Sequence, residues 1–267
     1  MMKMNESLHA FDFERRFNDR AALEWFEQNW GAAFVLSGVY AVFIFLGRIF
    51  MKDRQKLDLR KPLVLWSLCL AIFSIMGATR TSWYMFNMVR SHGLRESVCD
   101  SEFYSAPSSK FWAFAFTLSK APELGDTVFI VLRKQRLIFL HWYHHITVLL
   151  YSWYTYKDRV AGGGWFMAMN YTVHAFMYSY YTVRASGTRV PRPIAMMITL
   201  MQITQMLVGL SVLGLLYLWR NEVHCISTMH NITYAFIMYL SYLLLFSIFF
   251  YQSYFKRSGD EKRVKRE

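Results

Sequence analysis

The stretch HWYHHITVLLYSWYTY, residues 141–156, is apolar enough to cross a membrane, yet it carries three histidines within its first five residues. An imidazole in hydrocarbon is costly unless it faces a polar cavity or a partner. On an α-helix His141, His144 and His145 fall within about 100° of arc, because their spacing is i, i+3, i+4. The stretch therefore predicts a membrane helix that turns one polar face toward a site.

Long apolar segments recur along the 267-residue chain, of which 55% is hydrophobic. A bilayer-spanning helix needs about 20 mostly apolar residues, and continuous apolar runs without alternation indicate helices rather than strands. We predict an all-α integral membrane protein with a polar segment 1–30, a helical domain 31–255 and a basic tail 256–267. The seven predicted spans are residues 31–50, 62–89, 111–132, 137–156, 164–183, 193–219 and 232–255.

The distribution of Lys and Arg predicts the orientation. Ten of the 30 lie in the N-terminal segment and in the loops after the second, fourth and sixth spans, and eighteen belong to the alternate loops and the C-terminus. By the positive-inside rule the N-terminus is luminal and the C-terminus cytosolic. The net charge of +12 thus reflects topology, and without a soluble basic domain it does not indicate nucleic-acid binding. The final KRVKRE resembles a dilysine-type signal for the endoplasmic reticulum, or is an ordinary solvated tail.

Three features concern glycosylation and cysteine pairing. Asn5 begins a glycosylation sequon on the predicted luminal side, although a chance match in a polar tail explains it as well. Cys99 and Cys225 fall in two loops on the oxidising side, which predicts a disulfide between them. Cys69, in the second predicted span, reads as a small buried hydrophobe.

Ionisable and polar residues form stripes on four consecutive spans. The third span, FWAFAFTLSKAPELGDTVFIVL, places Lys120, Glu123 and Asp126 at i, i+3 steps, with Pro122 predicted to bend the helix among them. A structural ion pair between Lys120 and Glu123 is an alternative to a site. The fifth and sixth spans carry the stripes Asn170, His174, Tyr178, Tyr181 and Thr199, Gln202, Gln205. One stripe could be an interhelical seam, whereas four predict a shared polar interior.

Two kinds of chemistry fit these residues. HxxHH boxes occur in membrane di-iron desaturases and hydroxylases, but only four histidines can reach this interior, so two metals would also need Glu123 and Asp126. The other kind is nucleophilic catalysis. No cysteine has a histidine near it on the right side of the membrane and no G-x-S-x-G elbow is present, which leaves a neutral histidine as the nucleophile.

Four ordered motifs, KAPELGDT (120–127), HWYHH (141–145), NYTVHAFMYSYY (170–181) and TLMQITQ (199–205), resemble those of the very-long-chain fatty acid elongase (ELO) family. The resemblance runs over nearly the whole chain from the first span onward. LDLRKPLVLWS (57–67) and HWYHHITVLLYSWY are similar to the member that lengthens saturated and monounsaturated chains of palmitoyl length.

The resemblance implies seven spans, of which the last six enclose an acyl tunnel. It also implies condensation of acyl-CoA with malonyl-CoA in the endoplasmic reticulum, with release of CoA and CO2 and no cofactor beyond these substrates. The implied partners are the other enzymes of the elongation cycle, a 3-oxoacyl-CoA reductase, a dehydratase and an enoyl-CoA reductase. A homo-oligomer remains open, and a seven-span receptor or transporter is the alternative outside catalysis.

The hypothesis for the reaction is a ping-pong sequence. His144 takes the acyl group, His174 accepts a proton or serves as a second acylation point, and the oxyanion or enolate is steadied by His141, His145 and Asn170. Lys120 neutralises malonate or a CoA phosphate, with Glu123 and Asp126 holding it. Tyr178, Tyr181 and Gln202 are expected to line the substrate, and Arg184, Arg189, Arg192, Lys256 and Arg257 to bind CoA phosphates. A direct condensation without a covalent step is the competing mechanism.

Overall fold

The structure is a computed structural model that describes residues 10–221, 225 and 227–256. The elements in chain order are α1 (Asp12–Arg16), α2 (Asp19–Asn29), α3 (Ala32–Met51), α4 (Arg60–Cys99), α5 (Lys110–Ser119), α6 (Gly125–Leu132), α7 (Phe139–Tyr156), α8 (Gly163–Ala185), α9 (Arg192–Trp219) and α10 (Met229–Phe250). Short 3-10 turns cover Glu102–Tyr104 and Pro122–Leu124, and a π-helical turn, Tyr251–Lys256, follows α10. Throughout the described ranges the fold is helical without strands, as predicted.

In the described part of the chain, four helices, α3, α4, α9 and α10, are long and apolar enough to cross a membrane. Their outward faces carry exposed large apolar side chains such as Phe34, Ile72, Leu200 and Ile237. Helices α5 to α8 fall short of that standard because α5 and α6 are short and α7 and α8 carry polar stripes. The chain is thus a multi-pass helical membrane protein, and the count of seven spans stays a prediction.

The predicted third span is not one continuous helix. Helix α5 ends at Ser119, the 3-10 turn Pro122–Leu124 follows, and α6 starts at Gly125. Pro122 has no backbone N–H to continue the hydrogen-bond ladder, so a 3-10 turn interrupts the α-helix where the bend was predicted. The break directs Lys120 and Glu123 into the protein interior, where they are 2% and 3% exposed.

Close packing of α4 on α8 and of α9 on α10 forms the frame around the site. A Cβ atom at Gly77 of α4 would lie 2.4 Å from the ring of Tyr171, and one at Gly209 of α9 would lie 2.2 Å from the ring of Tyr239. Each glycine therefore admits a tyrosine ring of the neighbouring helix against its backbone, as small residues do in membrane helix pairs.

A disulfide joins Cys99, at the end of α4, to Cys225, which precedes α10. Both cysteines are buried. Cys69 lies instead on the outer face of α4 and is exposed. The expectation of a buried Cys69 is therefore wrong, because the period of α4 places this residue toward the surroundings of the protein.

The N-terminal segment packs into the bundle through one buried carboxylate. Glu14 of α1 is fully buried and accepts hydrogen bonds from Arg80 Nε at 2.8 Å, Arg80 Nη2 at 2.6 Å and Trp112 Nε1 at 2.6 Å. Arg80 lies within the second predicted span, residues 62–89. Its partner comes from the polar segment before the first span, which is thus part of the folded unit.

Replacing Glu14 by Gln is expected to destabilise the protein by about 3 kcal/mol, because it removes the charge of a fully buried carboxylate that accepts hydrogen bonds from Arg80 and Trp112. The measurement is the thermal unfolding midpoint in detergent. Glu24→Gln is the matched control, since Glu24 pairs with Arg20 on the surface, where a pair contributes about 0.5 kcal/mol. Equal midpoints for both variants would contradict the prediction.

Candidate active site

A polar cavity of about 150 Å³ lies among α6, α7, α8, α9 and α10. The four predicted stripes do meet there. The predicted site residues that line it are Asp126, His141, His144, His145, Asn170, His174, Tyr178, Tyr181 and Gln202. It reaches helix ends at Ile138, Tyr181 and Phe249, on the side of the bundle where the lysine- and arginine-rich loops lie.

A second, apolar cavity of about 60 Å³ continues from the first toward the opposite end of the bundle. The residues that line both cavities are His144, Asn170, Gln205 and Met206. Along α7 the apolar cavity follows one helical face through His144, Val148, Tyr151, Ser152 and Thr155. It ends at the loop residues Tyr104 and Val160. His144 therefore stands where the polar cavity passes into an apolar one.

A buried charge network lies behind the cavity wall. Lys120 Nζ donates to Glu123 Oε1 at 2.9 Å and Oε2 at 3.2 Å, and to Asn170 Oδ1 at 3.1 Å. Ser119 Oγ donates to the same Glu123 carboxylate at 2.9 Å. Lys120 and Glu123 do not border the cavities, whereas Asn170 does. Lys120 and Glu123 thus lie behind Asn170 in the cavity wall, and the contact of Lys120 with malonate or a CoA phosphate stays a prediction.

This network fixes the orientation of Asn170 and the proton position on His174. A lysine ammonium only donates hydrogen bonds, so the Asn170 atom that faces it is the oxygen. The Asn170 amide nitrogen then lies 3.3 Å from His174 Nε2 and donates to it. In neutral His174 the proton is therefore on Nδ1, which lies 3.9 Å from Glu123 Oε2.

Asp126 is the acceptor of a second network on the cavity wall. Trp66 Nε1 donates to Asp126 Oδ1 at 2.6 Å, and the Tyr178 hydroxyl donates to Oδ2 at 2.8 Å. The carboxylate thus links α4, α6 and α8. Through these two bonds Asp126 joins three helices at the cavity wall. The sequence predicted that Asp126 would hold Lys120, but in the described residues no hydrogen bond connects the two side chains.

The three histidines of α7 differ in their partners. His141 Nε2 lies 2.9 Å from Thr127 Oγ1. His145 is buried, and its Nδ1 has no hydrogen-bond partner in the described part of the chain. An unpaired buried N–H is more costly than an unpaired lone pair, so the His145 proton is on Nε2. In the described part of the chain, no side chain makes a hydrogen bond to a ring nitrogen of His144. The centre of its ring lies 4.9 Å from the centre of the Tyr242 ring.

Residues 25–262 match the model of the family described as "ELO: GNS1/SUR4 family". The chain belongs to this family. It is 58% identical over 258 residues to very long chain fatty acid elongase 6 of Gallus gallus, with 97% of each chain covered. It is 60% identical over 248 residues to that of Homo sapiens, covering 93% of this chain and 94% of the relative. Very long chain fatty acid elongase 3 of Homo sapiens is 44% identical over 254 residues, 95% and 93% of the two chains.

The resemblance drawn from the four motifs is confirmed by these matches, and the chain is a fatty acid elongase with 3-oxoacyl-CoA synthase activity. The receptor or transporter alternative is therefore wrong. For the alternative of a metal-dependent oxygenase, no group of three His, Cys, Asp or Glu side chains converges on a metal position among the residues described.

The basic residues predicted to bind CoA differ in their surroundings: one makes hydrogen bonds within the protein, and three others are exposed. Arg192 Nη2 donates to the carbonyl oxygens of Ser253 at 3.1 Å and Tyr254 at 3.0 Å, so it caps the end of the last helix. Arg184, Arg189 and Lys256 are exposed at the same end of the bundle. Arg257, the KRVKRE sequence at the C-terminus and the sequon at Asn5 lie outside the described residues.

Three further site residues were not among the predicted ones. Gln205 borders both cavities, and its place in the polar stripe of the sixth span was the available signal. Thr127 follows Asp126 within a recognised motif, but only the structure pairs it with His141. Trp66 lies 60 residues from Asp126 in sequence, and nothing local marks it as a partner.

Proposed function

We propose that this elongase condenses a long-chain acyl-CoA with malonyl-CoA through an acyl group carried on His144. The observation that carries the proposal is the position of this imidazole, at the passage between a polar and an apolar cavity, with no protein partner on its nitrogens in the described chain. The acyl chain would occupy the apolar side and the CoA portion the polar side. The neutral imidazole is then free to attack the thioester carbonyl between them.

In the first step a His144 nitrogen bonds to the acyl carbon and the C–S bond breaks. The proton of the other ring nitrogen passes to the departing thiolate, with His174 as the proposed carrier, and CoA leaves. Malonyl-CoA then loses CO2, and the resulting enolate attacks the acyl carbon. The C–N bond breaks, 3-oxoacyl-CoA is released, and His144 takes a proton from solvent.

The oxyanion and enolate require hydrogen-bond donors at the cavity wall. His145 supports this role because its proton is on Nε2 and its Nδ1 is buried. Asn170 supports it less directly, since one of its amide hydrogens is directed to His174. His145 is therefore the stronger candidate for a donor, and Asn170 for orienting His174.

The apolar cavity is proposed to hold an acyl chain near palmitoyl length. His144 and Thr155 are separated by about 16 Å along α7, and an extended alkyl chain advances about 1.3 Å per carbon. That distance takes roughly 12 carbons, and the floor at Tyr104 and Val160 lies beyond Thr155. Entry requires side chains to move, and Met167, Met206 and Met238 on this wall are flexible enough to do so.

Replacing Tyr104 by Ala is expected to lengthen the final product by one or two two-carbon steps, because it removes the side chain that closes the cavity. Tyr104 is 1% exposed, and its hydroxyl donates to the Val160 carbonyl oxygen at 3.3 Å. Chromatography of products made over repeated cycles would measure this. Tyr104→Phe keeps the ring and is the control. A product length unchanged in Tyr104→Ala would place the floor elsewhere.

We place the seven predicted spans in the endoplasmic reticulum membrane, with the N-terminus luminal and the C-terminus cytosolic. Support comes from the disulfide at one end of the bundle and from the basic loops and the opening of the polar cavity at the other. Acyl-CoA and malonyl-CoA would enter from the cytosolic side, near Arg184, Arg189 and Lys256. The reductases and dehydratase of the cycle would receive the product there.

The test is the intact mass of the purified protein after incubation with palmitoyl-CoA in the absence of malonyl-CoA. An increase of one acyl group, mapped to His144 and discharged by malonyl-CoA, is the expected result. An unchanged mass in protein that elongates when both substrates are present would overturn the covalent step and favour direct condensation. Mapping to His174 would reverse the two roles.

A further inference from the structure

Helix α3 lies outside the helices that line the cavities and packs against α6 and α7. Its buried residues are Ala33, Ser37, Tyr40, Ile44 and Met51, which form one face, and its other face is apolar and exposed. Neither cavity is bordered by a residue of α3. One polar group of this helix nevertheless enters the hydrogen bonding of the site, and it belongs to Tyr40.

A chain of hydrogen bonds joins Tyr40 to the histidine box. The Tyr40 hydroxyl lies 2.6 Å from Thr127 Oγ1, and Thr127 Oγ1 lies 2.9 Å from His141 Nε2. Tyr40 is 5% exposed and Thr127 is fully buried. The chain is thus shielded from competing solvent, and the two hydroxyls have one hydrogen each with which to make two bonds.

The direction of the chain follows from hydrogen-bond accounting. If His141 Nε2–H donated to Thr127 and Thr127 donated to Tyr40, the Tyr40 hydrogen would be buried without an acceptor in the described part of the chain. An unsatisfied buried donor costs about 1–3 kcal/mol. If Tyr40 donates to Thr127 and Thr127 donates to His141 Nε2, both hydroxyl hydrogens are used. The second direction is therefore favoured.

We infer that Tyr40 is a positioning residue of the elongation reaction, which acts through Thr127 to hold His141 with its proton on Nδ1. His141 borders the polar cavity, and no described residue bonds to its Nδ1. The Nδ1–H is thus available to donate to a thioester or enolate oxygen. The inference rests on the proposed function for the role of this donor, whereas the proton position rests on the hydrogen bonds alone.

The test compares Tyr40→Phe with Tyr171→Phe. Tyr171 is also buried, and its hydroxyl donates one hydrogen bond, to the Trp112 carbonyl oxygen at 3.0 Å. This bond does not lead on to a histidine. We expect Tyr40→Phe to lower kcat about tenfold with KM for acyl-CoA unchanged, since one oriented donor is weakened. Tyr171→Phe is expected to keep the kcat of the unmodified protein.

Two further measurements separate positioning from a general loss of structure. In a double-mutant cycle, Tyr40→Phe added to Thr127→Val should lower kcat no further than Thr127→Val alone, because both act through one bond to His141. In 15N spectra of histidine-labelled protein, assigned with His141→Gln, His141 should show the Nδ1–H tautomer, and Tyr40→Phe should mix it with the other tautomer.

Each outcome decides the inference. Equal losses in Tyr40→Phe and Tyr171→Phe, additive effects in the cycle, or an unchanged His141 tautomer in Tyr40→Phe would overturn it. The proposed function fails separately, if palmitoyl-CoA leaves no acyl group on the unmodified protein. The tautomer comparison needs no acylation, so it can be read in either case.

Discussion

Replacing His144 by Ala should lower elongation by at least about 10³-fold and abolish the acyl adduct formed with palmitoyl-CoA alone. The proposed reaction carries the acyl group on His144, so loss of this imidazole removes the covalent route. The fold should survive, because no described side chain bonds to the His144 imidazole. The effect can thus be assigned to chemistry rather than to unfolding.

The adduct distinguishes the covalent mechanism from direct condensation, which the same variant would also damage. His174→Ala should still take the acyl group, but more slowly, because His174 is proposed to carry the proton to the departing thiolate. His230→Ala is the matched control, since this histidine is exposed at the start of α10. A full adduct on His144→Ala would contradict the assignment of the nucleophile.

The polar stripes made the location of the site predictable from the sequence. Residues three or four apart share one face of a helix, and a polar face inside a membrane helix needs a polar neighbour. This reasoning predicted that His141, His144 and His145 on α7 share an interior with Asn170 and His174 on α8, and all five residues border one cavity. Family membership rests on the same motifs, because they carry both the periodicity and the chemistry.

Features that depend on tertiary packing were not predictable. The Tyr40–Thr127 contact joins residues 87 apart in sequence, and Arg192 caps carbonyl groups 61 and 62 residues away. An arginine that caps a helix and one that binds a phosphate have the same local sequence signal. The interruption at Pro122 was only partly predictable, because a proline predicts a disturbed helix but does not determine whether the helix bends or ends and starts again.

Replacing Lys120 by Met should destabilise the protein by about 3–5 kcal/mol, because it leaves the Glu123 carboxylate buried without its cation. The Lys120 ammonium also lies 4.1 Å above the Phe116 ring, so the substitution removes this cation–π contact as well. Elongation should fall as well, since the Asn170 amide loses the donor that fixes its orientation. The single variant thus mixes a loss of stability with a loss of positioning.

The double variant Lys120→Met with Glu123→Leu separates the two effects. Removing both members of a buried ion pair is often nearly neutral for stability, because no uncompensated charge remains. We expect its thermal midpoint in detergent to return close to that of the unmodified protein. Its kcat should stay at least tenfold lower, because nothing then directs the Asn170 nitrogen toward His174. Recovery of both stability and kcat would instead mean that the Lys120–Glu123 pair is purely structural, and that Asn170 is oriented by the cavity wall itself.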